Sequence, residues 1–217
     1  MDQRVKVAGL GGSLAVPSNS LAALKIALEG AEQAGAETQL FDVRALNLPM
    51  YAPGATAVPD SVLRLCDAVH EAEGLLWSSP LYHGTISGSF KNALDWLQLL
   101  SDRQPPYLTD KVVGLISTAG GSQGLQAVNT MEFVVRALRG WAVPLVIRIP
   151  QAWRVFDPEG RTRDSQLAEQ LRTLGREVAR VAGQFARREI TIPEAAKAEA
   201  ELQPISEQEI ADAAKEK

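Results

Sequence analysis

The 217-residue chain has few of the residue types that most often carry chemistry: one cysteine, Cys66, and two histidines, His70 and His83. A lone cysteine excludes an internal disulfide and a cysteine-based metal cluster. Two histidines with no carboxylate pair at ligand spacing beside them leave a metal site without support. No apolar run approaches the roughly 20 residues that a membrane-spanning helix needs. The start, Met1-Asp2-Gln3-Arg4-Val5-Lys6, enters a strand pattern without an apolar signal core. These absences predict a cytoplasmic protein with no membrane partner. A basic excess is missing too. From Thr191 onward seven acids face three lysines, a balance of −4 that equals the formal net charge of the whole chain, so residues 1–190 are neutral overall. Without cationic excess to neutralise phosphates, duplex nucleic acid is not an expected partner.

What is present is an ordinary globular composition, 46% hydrophobic and 22% charged, enough for one good core. Five apolar β-type runs, at residues 4–10, 37–43, 74–79, 111–118 and 143–149, alternate with helical patterns at 20–34, 60–73, 87–100, 122–140 and 164–187. That alternation predicts an α/β three-layer sandwich, a parallel sheet covered by helices on both faces. Right-handed crossovers then favour the strand order 2-1-3-4-5, with a ligand at the switch point between strands one and three. Ser18 or Asn19 is expected to cap the first helix and Asp60 the second, while Gly35 and Gly140 close two C-termini. Cys66 falls on an apolar helical face and reads as a buried structural thiol. His70 falls in the polar part of its helix and reads as a solvated surface residue. Residues 44–59 form a long connection, expected as a surface loop near the site. The domain is expected over 1–190, and the Ala/Glu/Lys-rich 191–217 as an acidic C-terminal arm, frayed or packed on another subunit.

Three loops follow strands and precede helices. The first, Gly9-Leu10-Gly11-Gly12-Ser13-Leu14-Ala15-Val16-Pro17-Ser18-Asn19-Ser20, groups Ser13, Ser18, Asn19 and Ser20 with the free amides of a helix N-terminus, a setting that suits a phosphate. Helix capping by the same serines is the alternative reading. A P-loop is excluded because Gly-Lys-Ser/Thr is absent, and a Rossmann G-x-G-x-x-G fails at Leu14. In the second loop an apolar run meets Pro80, expected to end its ladder for want of a backbone donor, and Leu81-Tyr82-His83-Gly84 then lead toward a helix. The third, Ser117-Thr118-Ala119-Gly120-Gly121-Ser122-Gln123-Gly124, brings glycine amides that suit a flat ring edge, or else forms a plain glycine turn. Gly120-Gly121-Ser122-Gln123-Gly124 is also a literal G-x-S-x-G, but a hydrolase triad needs a later histidine, and both histidines precede Ser122.

Pro80, Tyr82, Thr85, Gly88, Lys91, Asn92, Ala93, Asp95 and Trp96 fall on P-x-Y-x-x-(S/T)-x-x-G-x-x-K-N-A-x-D-W, and the segment resembles the NADPH-dependent FMN reductase family of flavodoxin-like proteins. Gly12, Ser13 and Ser18 are similar to that family's G-S-x-R-x-x-S element, with Ala15 at the arginine position, a departure that removes a charge-assisted phosphate contact. Ser117, Gly120 and Gly121 resemble its third flavin loop. The resemblance implies a flavodoxin-like fold binding FMN. Ser13, Ser18, Asn19 and Ser20 would hold the phosphate. Pro80, Leu81, Tyr82, His83 and Gly84 would wall one side of the flavin, and Ser117, Thr118, Ala119, Gly120 and Gly121 would cover another edge. His83 would meet the flavin's pyrimidine edge or simply hydrogen-bond its own loop. Lys91 and Asp95 would form a local ion pair or stay solvated. Trp153 and Phe156, in the connection after the fifth strand, are expected as core or interface aromatics.

The implied activity is hydride transfer from NADPH or NADH to flavin N5, then electron delivery to a small-molecule acceptor such as a flavin, quinone, azo dye or metal oxyanion. The cofactor carries that chemistry, so no side chain is named as acid, base or nucleophile. A flavodoxin-like electron carrier, and a scaffold whose loops have lost flavin, are the alternatives. The resemblance also implies a homodimer or homotetramer.

Overall fold

The computed structural model describes residues 4–54 and 57–186; the expected arm at 191–217 lies outside them. In chain order the elements are β1 (Lys6–Gly11), α1 (Asn19–Gln33), β2 (Glu37–Asp42), α2 (Val43–Leu46), α3 (Asp60–Glu71), β3 (Gly74–Tyr82), β4 (Thr85–Ile86), α4 (Gly88–Trp96), β5 (Val112–Thr118), α5 (Leu125–Ala137), β6 (Trp141–Ile149) and α6 (Ser165–Ala186). The parallel strands run β2-β1-β3-β5-β6, which is the expected 2-1-3-4-5. A short sixth strand, β4, pairs antiparallel with the end of β3. Among the described residues no helix is long and apolar enough to cross a membrane.

Alternation along the strands divides the core between the two faces of the sheet. Leu75 and Trp77 join Val62, Leu65, Phe90 and Met131 under α3, α4 and α5. Leu76 joins Val7, Leu24, Ile116, Leu174 and Val178 under α1 and α6. On that second side the helices touch backbone to backbone. A Cβ on Gly30 would stand 2.1 Å from the Arg172 carbonyl oxygen, and one on Gly175 1.8 Å from that of Ala27. Only glycine allows this approach.

Several local expectations are corrected. Pro80 does not end β3, which continues to Tyr82. The pairing of β3 with β1 stops at Ser78, so Pro80 lies where the strand has lost one neighbour and the missing donor is tolerated. At α3 the cap position belongs to Pro59, with no side-chain bond, and Asp60 sits inside the first turn, where it complements the helix dipole. After α5 the left-handed residue is Arg139 (φ 69°), not Gly140; Gly140 is instead crowded by Val135 and Leu108. Gly35 does follow α1 in the left-handed region. Cys66 is buried as expected, and burial pushes its thiol up to about 11. His70 is half-buried, not solvated. Its Nδ1 is enclosed without a partner, and burial followed by the Lys111 charge lowers its pKa.

Candidate functional site

At the carboxyl end of the sheet the chain leaves β1 through Gly12, whose amide donates to the Ser78 carbonyl at 2.7 Å. Ser87 Oγ donates to the Gly12 carbonyl at 2.9 Å and also accepts from Phe90 N as the cap of α4. A Cβ on Gly12 would lie 2.5 Å from Phe90, so the chain crosses the start of α4 only because this residue has no side chain. Ser78 Oγ donates to the Ser20 carbonyl at 2.8 Å, and Ser79 Oγ accepts from Ser87 N at 3.1 Å. Buried hydroxyls thus lace the first two loops together.

Above this lacing lies a cleft of about 180 Å³, lined by Ser13, Ala15, Pro17, Asn19 and Ser20 from the first loop, Pro80, Leu81 and Tyr82 from β3, Thr118, Ala119 and Gly120 after β5, and Ala152 and Trp153 after β6. It sits at the β1/β3 switch point, where doubly wound sheets collect ligands. The first-turn amides of α1 have no partners within the helix, so Asn19 and Ser20 bring backbone donors as well as side chains. Among the described residues no carboxylate, imidazole, ammonium or guanidinium lines the cleft. A second hollow of about 220 Å³ shares Ser13, Ala15 and Pro17 with it and adds Val16, Ser18, Leu21, Ala22, Lys25, Asp42, Arg44, Pro158, Glu159 and Gly160.

Nine of the expected site residues are therefore brought together on the cleft and five are not. Ser18 opens onto the neighbouring hollow; its Oγ accepts from Leu21 N at 3.3 Å as the cap of α1 and lies 3.2 Å from Ser20 Oγ. His83 and Gly84, both at positive φ (49° and 86°), form the two-residue turn between β3 and β4, where right-handed strand twist demands such a pair. They are exposed and lie off the cleft lining. Ser117 is buried behind the cleft, its Oγ without a hydrogen-bond partner. Gly121 lies off the lining and accepts from Gln151 N at 3.0 Å. Ser122 is exposed and lacks the positive φ of a strained nucleophile elbow.

Trp153, expected as a core or interface aromatic, lines the cleft. Phe156 is core, but Trp153 is 60% exposed, donates through Nε1 to the Gly120 carbonyl at 3.2 Å and carries the Arg154 guanidinium 4.6 Å from its ring centre. Its place just after β6, where loops converge on the same edge, was the available signal. The conspicuous end of α4 does a different job. Asn92 Nδ2 and Trp96 Nε1 both donate to the Pro49 carbonyl at 2.9 Å, and Asn92 Oδ1 accepts from Tyr51 N at 2.8 Å. The long connection after β2 is thereby pinned to α4, and only its beginning, Arg44, reaches the hollow. Lys91 and Asp95 form an exposed ion pair at 2.6 Å.

The residues suit a phosphorylated planar ligand: hydroxyls and first-turn amides from the first loop and α1, aromatic and aliphatic side chains from β3 and the segment after β6, and open space at Gly120, where a Cβ would meet nothing within 4 Å. Sheet order and cleft position define a flavodoxin-like α/β domain. Its structure aligns with that of FerB, a flavoenzyme NAD(P)H:(acceptor) oxidoreductase from Paracoccus denitrificans, over 83% of this chain and 98% of that one, with a TM-score of 0.67 and 21% identity, a likeness of fold. The model of the NADPH-dependent FMN reductase family matches residues 5–154, and the chain belongs to that family. It is 37% identical over 131 residues to the NADPH-dependent FMN reductase ArsH of Acidithiobacillus ferrooxidans, a match covering 60% of this chain and 54% of that protein. It is 30% identical over 141 residues to an FMN-dependent NADPH-azoreductase of Staphylococcus aureus, covering 63% of this chain and 72% of that protein.

Proposed function

We propose that the protein is an FMN-dependent NAD(P)H oxidoreductase acting in the cytoplasm on a small-molecule acceptor: a flavin, quinone, azo compound or metal oxyanion. The observation that carries the reading is the cleft at the β1/β3 switch point, polar at the α1 end, aromatic at the other and free of charged side chains. When bound, FMN supplies acceptance of a hydride from the nicotinamide and onward delivery of electrons.

The chain's own residues bind and orient. Ser13, Ser20 and the Asn19 side chain offer donors at the α1 end, joined by first-turn amides whose dipole favours an anion. Pro80, Leu81 and Tyr82 form one wall and Ala152 and Trp153 another, excluding water from a flat ring between them. Backbone groups of Thr118, Ala119 and Gly120 stand at the ring edge, where the absence of a Cβ at 120 permits close approach. With no carboxylate, imidazole or amine in the lining among the described residues, positioning is the protein's contribution. Exposed Leu125 and Phe133 on α5 and Trp141 at the start of β6 support assembly as a homodimer or homotetramer.

Titration with FMN, followed by flavin fluorescence quenching and then by anaerobic mixing with NADPH, tests the reading. Saturable quenching and bleaching of the flavin band by NADPH are expected. Absence of quenching overturns the assignment, and binding without bleaching by either NADPH or NADH reassigns the protein as an electron carrier.

A further inference from the structure

The cleft contains a contradiction if its ligand ends in a phosphate. A phosphomonoester carries nearly two negative charges at neutral pH, yet the lining has no cation. First-turn amides and hydroxyls supply hydrogen bonds and a partial charge of about +0.5, which leaves most of that charge uncompensated. Two cations line the adjoining hollow, which shares Ser13, Ala15 and Pro17 with the cleft.

Lys25 and Arg44 are those cations, and they come from two different elements. Ser18, Leu21, Ala22 and Lys25 fall at helical spacing on one face of α1, and all four line the hollow. Helical side chains lean toward the N-terminus, so the Lys25 stem leans toward the turn that begins at Asn19. Arg44 follows β2, whose last residue, Asp42, is in register with Gly11 at the end of β1. Two carboxylates share the hollow, and both are engaged: Asp42 Oδ1 accepts from Arg44 N at 3.0 Å as the cap of α2, and Glu159 pairs with Arg161 at 3.0 Å. Among the described residues neither Lys25 nor Arg44 forms a salt bridge.

We infer that the hollow is a phosphomonoester subsite in which Lys25 and Arg44 supply the positive charge that the cleft lacks. The inference rests on the proposed function and assigns these two residues a binding role within it. Two ligands of that reaction carry the chemistry: the 5′-phosphate of FMN and the 2′-phosphate that distinguishes NADPH from NADH. Both cations are exposed, so glutamine in their place keeps the hollow's shape and removes only charge.

The test uses the full-length protein and Lys25→Gln, Arg44→Gln and the double variant, with thermal melts to establish that the fold is kept. FMN and riboflavin are titrated by fluorescence quenching at low and high salt, and KM is measured for NADPH and NADH. A loss of about tenfold per cation for FMN at low salt, absent for riboflavin and shrinking as salt screens the charges, assigns the subsite to the flavin phosphate. Unchanged FMN binding with a KM rise for NADPH alone assigns it to the 2′-phosphate. Equal losses for FMN and riboflavin, or no change in any of the four ligands, overturn the inference while leaving the functional reading standing. A wild-type protein that binds no flavin overturns both.

Discussion

The first loop, residues 12–20, and the segment 79–96 meet at the same edge of the sheet but divide the work unequally. The segment 79–96 carries the densest signature in the sequence, and its buried polar groups serve the fold: Ser79 and Ser87 brace the neighbouring backbone, while Asn92 and Trp96 hold the Pro49 carbonyl. Only Pro80, Leu81 and Tyr82 reach the cleft. The plainer first loop sends Ser13, Asn19 and Ser20 to the cleft lining. The motif of 79–96 thus coincides with tertiary hydrogen bonds that hold the loops together, while the first loop contributes more of the polar cleft lining.

The sharpest way to break this comparison is Asn92→Ala. Removing a buried amide that donates to Pro49 O and accepts from Tyr51 N strands the Tyr51 amide and leaves Pro49 O with Trp96 Nε1 alone. Stability should fall by about 2–3 kcal/mol, read by denaturant melts, while the folded protein keeps its FMN affinity. Lost flavin binding at full stability would assign α4 to the site and erase the contrast. Within the first loop, Ser13→Ala should weaken FMN by about 1.5–3 kcal/mol relative to riboflavin, with little change in melting temperature. Ser18→Ala should weigh more on the fold, costing about 1 kcal/mol of stability through the lost α1 cap and lowering the FMN-to-riboflavin ratio less than Ser13→Ala does. Exchange of those two phenotypes would show that capping and ligand binding have been assigned to the wrong serines. The smallest effect belongs to His83→Asn, which creates the Asn-Gly pair preferred in this hairpin turn. Stability should rise by a few tenths of a kcal/mol, and flavin titrations should be unaltered.

Much of the fold was legible because it rests on periodicity. Five apolar runs separated by helical patterns specify parallel strands with two covered faces, and handedness leaves few orders for them. The errors lie where a tertiary neighbour decides. Pro80 continues a strand because β1 has already stopped beside it, and Arg139 takes the left-handed position expected of a glycine while Gly140 fits against Leu108. At the site, sequence adjacency brought His83 and Gly84 into the expected set although the hairpin carries them away from the cleft. Trp153 was expected beside Phe156 as a core or interface aromatic, and its place on the cleft depends on how the segment after β6 folds back to Gly120. Lys25 and Arg44 had no local signal, since their relation to the first loop exists only once β2 lies beside β1.

The backbone contact at Gly30 and Gly175 gives the helix that begins at Asn19 a fixed seat. Sliding or tilting α1 would drive main-chain atoms of Ala27 or Arg172 into the opposing helix, so the donors at its N-terminus are positioned before any ligand arrives. Association then loses little conformational entropy in the protein at that end, the thermodynamic meaning of preorganisation. Damage can travel the same route in reverse: a side chain introduced at position 175, far along the sequence from the cleft, would emerge in a binding assay through the displaced donors at the start of α1.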